Sequence, residues 1–134
     1  MKIGELARRS GLSAHTLRYY EKYGLIPPPL RDSSGQRVYG EDALDWLAFL
    51  KHLKHTGMPL SKMRRYAHLR ARGDTTFAAR QNMLQEHRLA VLAQIGTLQS
   101  CLDALERKIA FYNQLQQGDH ADDNNNLARE HTKA

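Results

Sequence analysis

A single cysteine, Cys101, in 134 residues excludes an internal disulfide framework and cannot by itself supply a thiolate metal site. No apolar run reaches the length a membrane-spanning helix needs, and no charged, apolar, small-residue leader opens the chain, so it reads as soluble, unprocessed and cytoplasmic. A Gly-rich phosphate loop, a nucleophile elbow and a metal triad are all missing, and the His, Cys and acidic residues show no catalytic spacing, which argues against an enzyme and gives no cofactor a site. The length suits one domain with one core.

Acid is scarce where it would matter most. The whole chain has 20 Lys and Arg against 14 Asp and Glu, a formal net charge of +6. Met1–Gly73 has 14 of those bases and 6 of the acids, a net of +8, and the remainder has 6 and 8, a net of −2. An anionic partner therefore meets the first half.

Hydrophobic periodicity divides the chain at the same place. Ile3, Leu6 and Ala7 form a short helical face that Gly11 interrupts; Leu17 and Tyr20 resume one that ends at Gly24, with Ser13 suited to cap the second helix. Two short helices about a Gly-containing turn describe a helix-turn-helix. Pro27, Pro28 and Pro29 then forbid helix, and LRDSSGQRVYG has β-compatible ends around a Ser-Ser-Gly turn, as in the short hairpin of a wing. Glu41 and Asp42 suit the first turn of a third helix, whose Leu44, Trp46, Leu47, Leu50 and Leu53 would pack on the first two until Gly57. Pro59 opens a fourth, with Met63, Tyr66 and Ala67 inward, that ends near Gly73.

After Asp74 the period becomes seven. Phe77, Leu84, Val91, Leu98, Leu105 and Tyr112 recur at that step, and Ile95, Leu102 and Ile109 fall four residues after three of them, which makes an a/d seam. A helix of about 40 residues would be roughly 60 Å long, and nothing else in the chain can cover its stripe. The seam, Leu84, Val91, Ile95, Leu98, Leu102, Leu105 and Ile109, is therefore expected to meet the same helix of a second chain in a homodimer. The stretch GDHADDNNNLAREHTKA, residues 118–134, has almost no apolar content and reads as a disordered tail. The expected organisation is thus a basic winged helix-turn-helix region with connecting helices over 1–73, a dimerisation helix over 74–117 and the tail.

The recognition chemistry centres on HTLRYYEKYG. On a helix beginning near Ala14, His15, Arg18 and Tyr19 share one face while Leu17 turns inward. A guanidinium suits guanine edges or phosphates, and hydroxyls suit phosphates. The other reading of the same residues makes Tyr19 and Tyr20 partly core and Arg18 an ordinary solvated charge. Arg31, Arg37 and Tyr39 repeat these residue types on the hairpin, as a second contact to the backbone or minor groove.

The run IGELARRSGLSAHTLRYYEKYGLIPP, the following R-DSSGQRVY, the TGMPL between helices three and four, and the long last helix together resemble the MerR family of bacterial transcription regulators over about residues 1 to 116. The resemblance implies a mainly α fold: a winged helix-turn-helix DNA-binding domain followed by a long helix that forms an antiparallel coiled coil in the dimer. It implies binding to promoters whose two recognition elements are spaced too far apart, with distortion of the double-stranded DNA so that RNA polymerase engages both. Carried over by position, His15, Thr16, Arg18, Tyr19 and Tyr20 fall on the recognition helix, and Arg31, Arg37 and Tyr39 on the wing.

Effector type divides that family. Thiolate metal sensors carry cysteines where this chain reads GDTTFAARQN and YNQLQQGDHADDNNN, and drug-binding members append a domain where this chain has only its tail. The GDTTFAARQNML and LDALERKIAFY segments are more similar to the AdhR-like branch, associated with reactive aldehydes and so with a stress response. The cysteine that branch often has in the third helix is replaced by His52. His52 and His55, three apart, lack the carboxylate or thiol that would complete a metal site. Cys101 flanks the seam; it is either a small apolar filler or the sensor of an electrophile, with a noncovalent small-molecule effector as the alternative. A phage-type architectural DNA-binding protein without effector response shares the winged domain but not the long helix.

Overall fold

In the computed structural model, which describes residues 1–118, helices α1 (Ile3–Ser10) and α2 (Ala14–Lys22) stand either side of a turn at Gly11, whose N–H donates to Ala7 O. The Ser13 hydroxyl caps α2 by accepting from the Thr16 N–H at 3.0 Å, which satisfies one of the first-turn donors. Two-residue strands β1 (Leu30–Arg31) and β2 (Arg37–Val38) pair antiparallel, Leu30 with Val38 and Arg31 with Arg37. Helices α3 (Asp42–His55) and α4 (Leu60–Arg72) follow, and a 3₁₀ turn (Asp74–Thr76) leads into α5 (Phe77–Gln117).

Helices α2 and α3 end alike. At α2, Gly24 N–H donates to Glu21 O and Leu25 N–H to Tyr20 O; at α3, Gly57 N–H donates to Lys54 O and Met58 N–H to Leu53 O. These are Schellman ends, and Gly24 (φ 73°) and Gly57 (φ 86°) occupy the left-handed position that a side chain disfavours. In both cases the residue after the glycine, Leu25 or Met58, turns straight into the core.

That core is built from the interior stripes that the periodicity names. Leu6, Leu17, Leu25 and Leu50 are fully buried, with Trp46, Leu47, Leu53, Met63, Tyr66 and Ala67 around them. Helix α1 packs on both α2 and α3, and α3 packs on α4. The Trp46 ring stacks on Tyr66 with centroids 5.7 Å apart and planes 7° apart, while its Nε1 donates to Leu25 O at 2.7 Å. Burying so large a ring needs that partner for its N–H.

The chain divides into two compact units, Met1–Leu89 and the stretch from Ala90 on. The first thus runs past Gly73 and includes the opening turns of α5. Met83 and Leu84 pack against the N-terminal core, and His87 Nε2 lies 2.6 Å from the Thr56 hydroxyl. Leu84, placed on the dimer seam by its heptad position, is thus half-buried within its own unit. An apolar surface of the same chain is already within reach of that turn. The joint between α4 and α5 is held by the buried Thr76, whose hydroxyl faces Leu69 O at 2.6 Å and Gly73 O at 2.7 Å. From Ile95 to Tyr112 the seam side chains are exposed, Leu98 by 68%. The expected tail lies outside the described residues except for Gly118.

Candidate nucleic-acid interface

Helix α2 offers one polar stripe. His15, Arg18 and Tyr19 are all exposed on it, and Lys22, seven residues after His15, extends it. Tyr19 leans on Tyr23 with ring centroids 4.4 Å apart, which holds its ring at the surface. Leu17 and Tyr20 anchor the opposite side, Tyr20 with only 7% of its surface exposed. Thr16 is half-buried, and its hydroxyl accepts from the Ser13 hydroxyl at 2.9 Å. Its role in the free protein is therefore to organise the helix start.

The hairpin is rigidified by its own polar groups. Asp32 Oδ1 accepts from the Ser34 N–H at 3.0 Å, the Ser34 hydroxyl at 2.7 Å and the Gln36 N–H at 2.9 Å. Oδ2 of the same carboxylate pairs with the Lys2 ammonium. The Lys2 contact first, and the Ser34 and Gln36 donors after it, hold the Asp32 carboxyl far below its ordinary pKa. Arg31 Nη1 donates back to Gly35 O at 2.7 Å, leaving an exposed guanidinium at the wing. Beside it Leu30 is 82% exposed, an apolar side chain of the kind that can enter a minor groove.

Arg37 is placed differently. Its Nη1 donates to Glu21 Oε2 at 2.7 Å, which ties β2 to α2 and fixes the wing beside the recognition helix. Tyr39 is buried to 6% exposure, and its hydroxyl has no hydrogen-bond partner among the described residues. Its backbone secures the N-terminus: the Met1 amino group donates to Tyr39 O at 2.6 Å and the Tyr39 N–H to Met1 O at 2.7 Å. On the far side of α1, Arg9 grips Glu41 with two hydrogen bonds of 2.9 and 3.0 Å; the Arg9 guanidinium lowers the Glu41 pKa.

The structure thus brings His15, Arg18 and Tyr19 together on one exposed stripe, with Arg31 on a wing whose orientation the Arg37–Glu21 pair sets. Tyr20 and Tyr39 lie in the core behind them. Lys22 and Leu30 join this surface without belonging to the residues the sequence singles out; the seven-residue spacing from His15 signals the first, and no local feature signals the second. Helix α4 adds exposed Arg64, Arg65, His68 and Arg72 and has no acid in its sequence. Among the described residues no group of three or more His, Cys, Asp or Glu is arranged to hold a metal, and no helix is long and apolar enough to cross a membrane.

A family profile described as the MerR HTH family regulatory protein matches residues 1–73, and one described as MerR, DNA binding matches residues 44–108. The chain belongs to the MerR family. An uncharacterized HTH-type transcriptional regulator of Haemophilus influenzae is 42% identical over 106 residues, covering 79% of this chain and 78% of that protein. AdhR, an HTH-type transcriptional regulator of Bacillus subtilis, is 42% identical over 88 residues, 66% of this chain and 63% of AdhR. Among solved structures, HiNmlR, a MerR family regulator lacking the sensor domain and bound to promoter DNA, shares 38% identity with a TM-score of 0.74, covering 87% of this chain and 92% of that one. A MerR-family protein from Listeria monocytogenes shares 31% identity with a TM-score of 0.78, covering 99% and 98%. The MerR chain described here is accordingly a transcriptional regulator and not an enzyme. Its mainly helical fold, a helix-turn-helix unit followed by a long C-terminal helix, is the fold of these regulators.

Proposed function

We propose that this MerR regulator acts in the cytoplasm as a homodimer on double-stranded promoter DNA, distorting it to control how RNA polymerase engages, in a stress response. The observation that carries the reading is the pairing of an exposed recognition stripe, His15, Arg18 and Tyr19, with an exposed apolar seam on α5 from Ile95 to Ile109. One recognition helix reads too few base pairs for a unique site, and a two-fold dimer doubles the contacts over a pseudo-palindrome. The α5 helix running antiparallel to its copy is the natural cover for the seam. HiNmlR, a MerR family regulator lacking the sensor domain, is bound to promoter DNA, which supports promoter binding by this chain.

Arg18 is the residue we assign to base edges, and Arg31 and Arg37 to the backbone, with Glu21 releasing Arg37 when a phosphate takes its place. An effector can shift the bound protein only by favouring one arrangement of its DNA-binding units. Cys101 is exposed on α5 and is the covalent candidate for an electrophile; a normal reporter response to aldehyde or oxidant in Cys101→Ser would assign it to packing alone. Footprinting on promoters spanning a range of spacer lengths tests the central reading. Protection should centre on an over-long spacer and be accompanied by hypersensitive, distorted steps. Protection without distortion on spacers of ordinary length would instead favour simple occlusion of polymerase.

A further inference from the structure

Helix α4 carries Arg64, Arg65, Arg70 and Arg72, and three of them are exposed. Arg70 is not. It sits on the inward face with Met63 and Tyr66, half-buried, its guanidinium 4.7 Å from the centroid of the Trp46 ring. Among the described residues no carboxylate pairs with it. An arginine drawn off the surface without an anion loses hydration that the face of an indole only partly replaces.

Arg70 also lines a pocket of about 260 Å³ in the first unit, open to solvent on the side of Pro27, Pro28 and Leu30. The walls are apolar: Leu6 from α1, Ile26 and Pro28 from the linker before the wing, Val38 from β2, and Trp46 and Leu47 from α3. Asp42, at the start of α3, is the other charged residue there, and it does not ion-pair with Arg70 among the described residues. Its Oδ1 is turned toward Gly40, where a Cβ would lie 2.6 Å away. The volume is just under the roughly 300–1,000 Å³ of sites for drug-sized ligands, so it suits a small compact molecule. Apolar walls, an arginine without an ion-pair partner among the described residues and an aspartate turned toward Gly40 ask for an apolar body bearing one anionic end.

We infer that this cavity is a binding site for a small apolar carboxylic acid, held by Arg70 through its carboxylate and by Trp46, Leu47 and the Pro27–Pro29 linker through its hydrocarbon. Asp42 sets polarity, repelling the acid group and directing it to Arg70. The linker and Val38 belong to the stalk of the hairpin, while Trp46 and Arg70 belong to α3 and α4. An occupant therefore touches both the base of the wing and the helices behind it, and a ligand that prefers one wing position changes DNA affinity by that preference. This regulatory part rests on the DNA-binding reading above; the site itself does not.

Trp46 is the chain's single tryptophan, so its emission reports occupancy in the full chain without DNA. Cyclohexanecarboxylate, transparent where tryptophan is excited, is the probe, and cyclohexanecarboxamide is its uncharged twin. The acid should give a saturable emission change, and the amide should bind at least about tenfold more weakly. Arg70→Gln, which keeps most of the stem, should weaken the acid to the level of the amide; Ala43→Leu, which fills the cavity from α3, should abolish the change with Arg70 intact. Asp42→Asn should tighten the acid severalfold. Equal titration by acid and amide, or no saturable change up to about 10 mM, overturns the site; a saturable change that Ala43→Leu leaves intact places binding elsewhere and overturns it too. Operator affinity measured with and without the acid then tests coupling: a difference supports it, and identical affinities in a protein shown to bind both DNA and acid overturn it.

Discussion

The two units of this chain handle apolar side chains in opposite ways. In Met1–Leu89, leucines from α1, α2, the α2–α3 linker and α3 converge until Leu6, Leu17, Leu25 and Leu50 are sealed from solvent. From Ala90 to Gly118, Ile95, Leu98, Leu102, Leu105 and Ile109 are as apolar as that core, yet each is at least 45% exposed. No residue of α5 itself is fully buried. One unit thus encloses its apolar side chains within itself, whereas the other carries apolar surface that no described residue covers.

The sharpest way to break that contrast is to charge the seam. With each seam side chain worth roughly 1.5–3 kcal/mol when fully buried, Leu98→Glu with Leu102→Glu should convert a dimer to a monomer by sedimentation while leaving the first unit folded by circular dichroism. An unchanged mass would show that the seam is not the dimer contact.

The next largest effect belongs to the core. Leu50→Ala should cost about 2–5 kcal/mol through the lost transfer energy and the cavity left behind. In a chemical-denaturation experiment the loss should appear in the transition of the first unit. A Leu50→Ala protein that lost its dimer mass but kept its unfolding midpoint would reverse the assignment of stability to one unit and association to the other.

A smaller effect distinguishes residues within the recognition surface. Arg18→Ala should cost about 1–3 kcal/mol of operator affinity and relax preference at one symmetric pair of positions. Glu21→Gln should act in the opposite direction, raising affinity at an unchanged salt slope because Arg37 no longer has to leave a carboxylate to reach its phosphate, whereas Arg37→Ala should lower the slope by about one ion per phosphate lost. Uniform weakening across all sequences by Arg18→Ala would move that residue to the backbone-contact set.

The smallest effect concerns the wing. Asp32 has a pKa depressed in the folded hairpin, so its contribution is fully present above the ordinary value of 3.8 and is lost as pH falls below it toward the folded value. The Ser34 and Gln36 amides, both bonded to Asp32, should shift in nuclear magnetic resonance spectra over that acid range and not above it. Asp32→Ala should show the loosened hairpin at neutral pH. Amides unaffected by acid would show that the backbone turn alone holds the wing.

Much of this architecture was legible before any coordinates, for a local reason. Ser13 caps α2 because its hydroxyl reaches an N–H three residues on, and Gly57 ends α3 because the left-handed position lies just past the last apolar turn; neither depends on distant chain. The same holds for the periods of 3.6 and seven, which separate Leu44–Leu53 from Val91–Ile109. Tyrosine was where this logic stopped. The period sets Tyr20 with Leu17 on the apolar face, yet an apolar ring with a polar tip suits core and contact surface alike, so only packing decided that Tyr20 is withdrawn to 7% exposure.

By itself, then, the sequence determined the order and extent of the helices, the turn chemistry of the wing, the basic first half and the unshielded heptads, since each follows from neighbours within a few residues or from composition. Only the tertiary structure decided that Glu21 restrains Arg37 sixteen residues away, that Leu84 packs in part against the core of its own unit, and that Arg70 turns from the basic face of α4 toward Trp46. Those outcomes depend on which surfaces meet. A guanidinium or a leucine has the same intrinsic chemistry at every position, and the partner that satisfies it is set by packing between elements rather than by the period of its own helix.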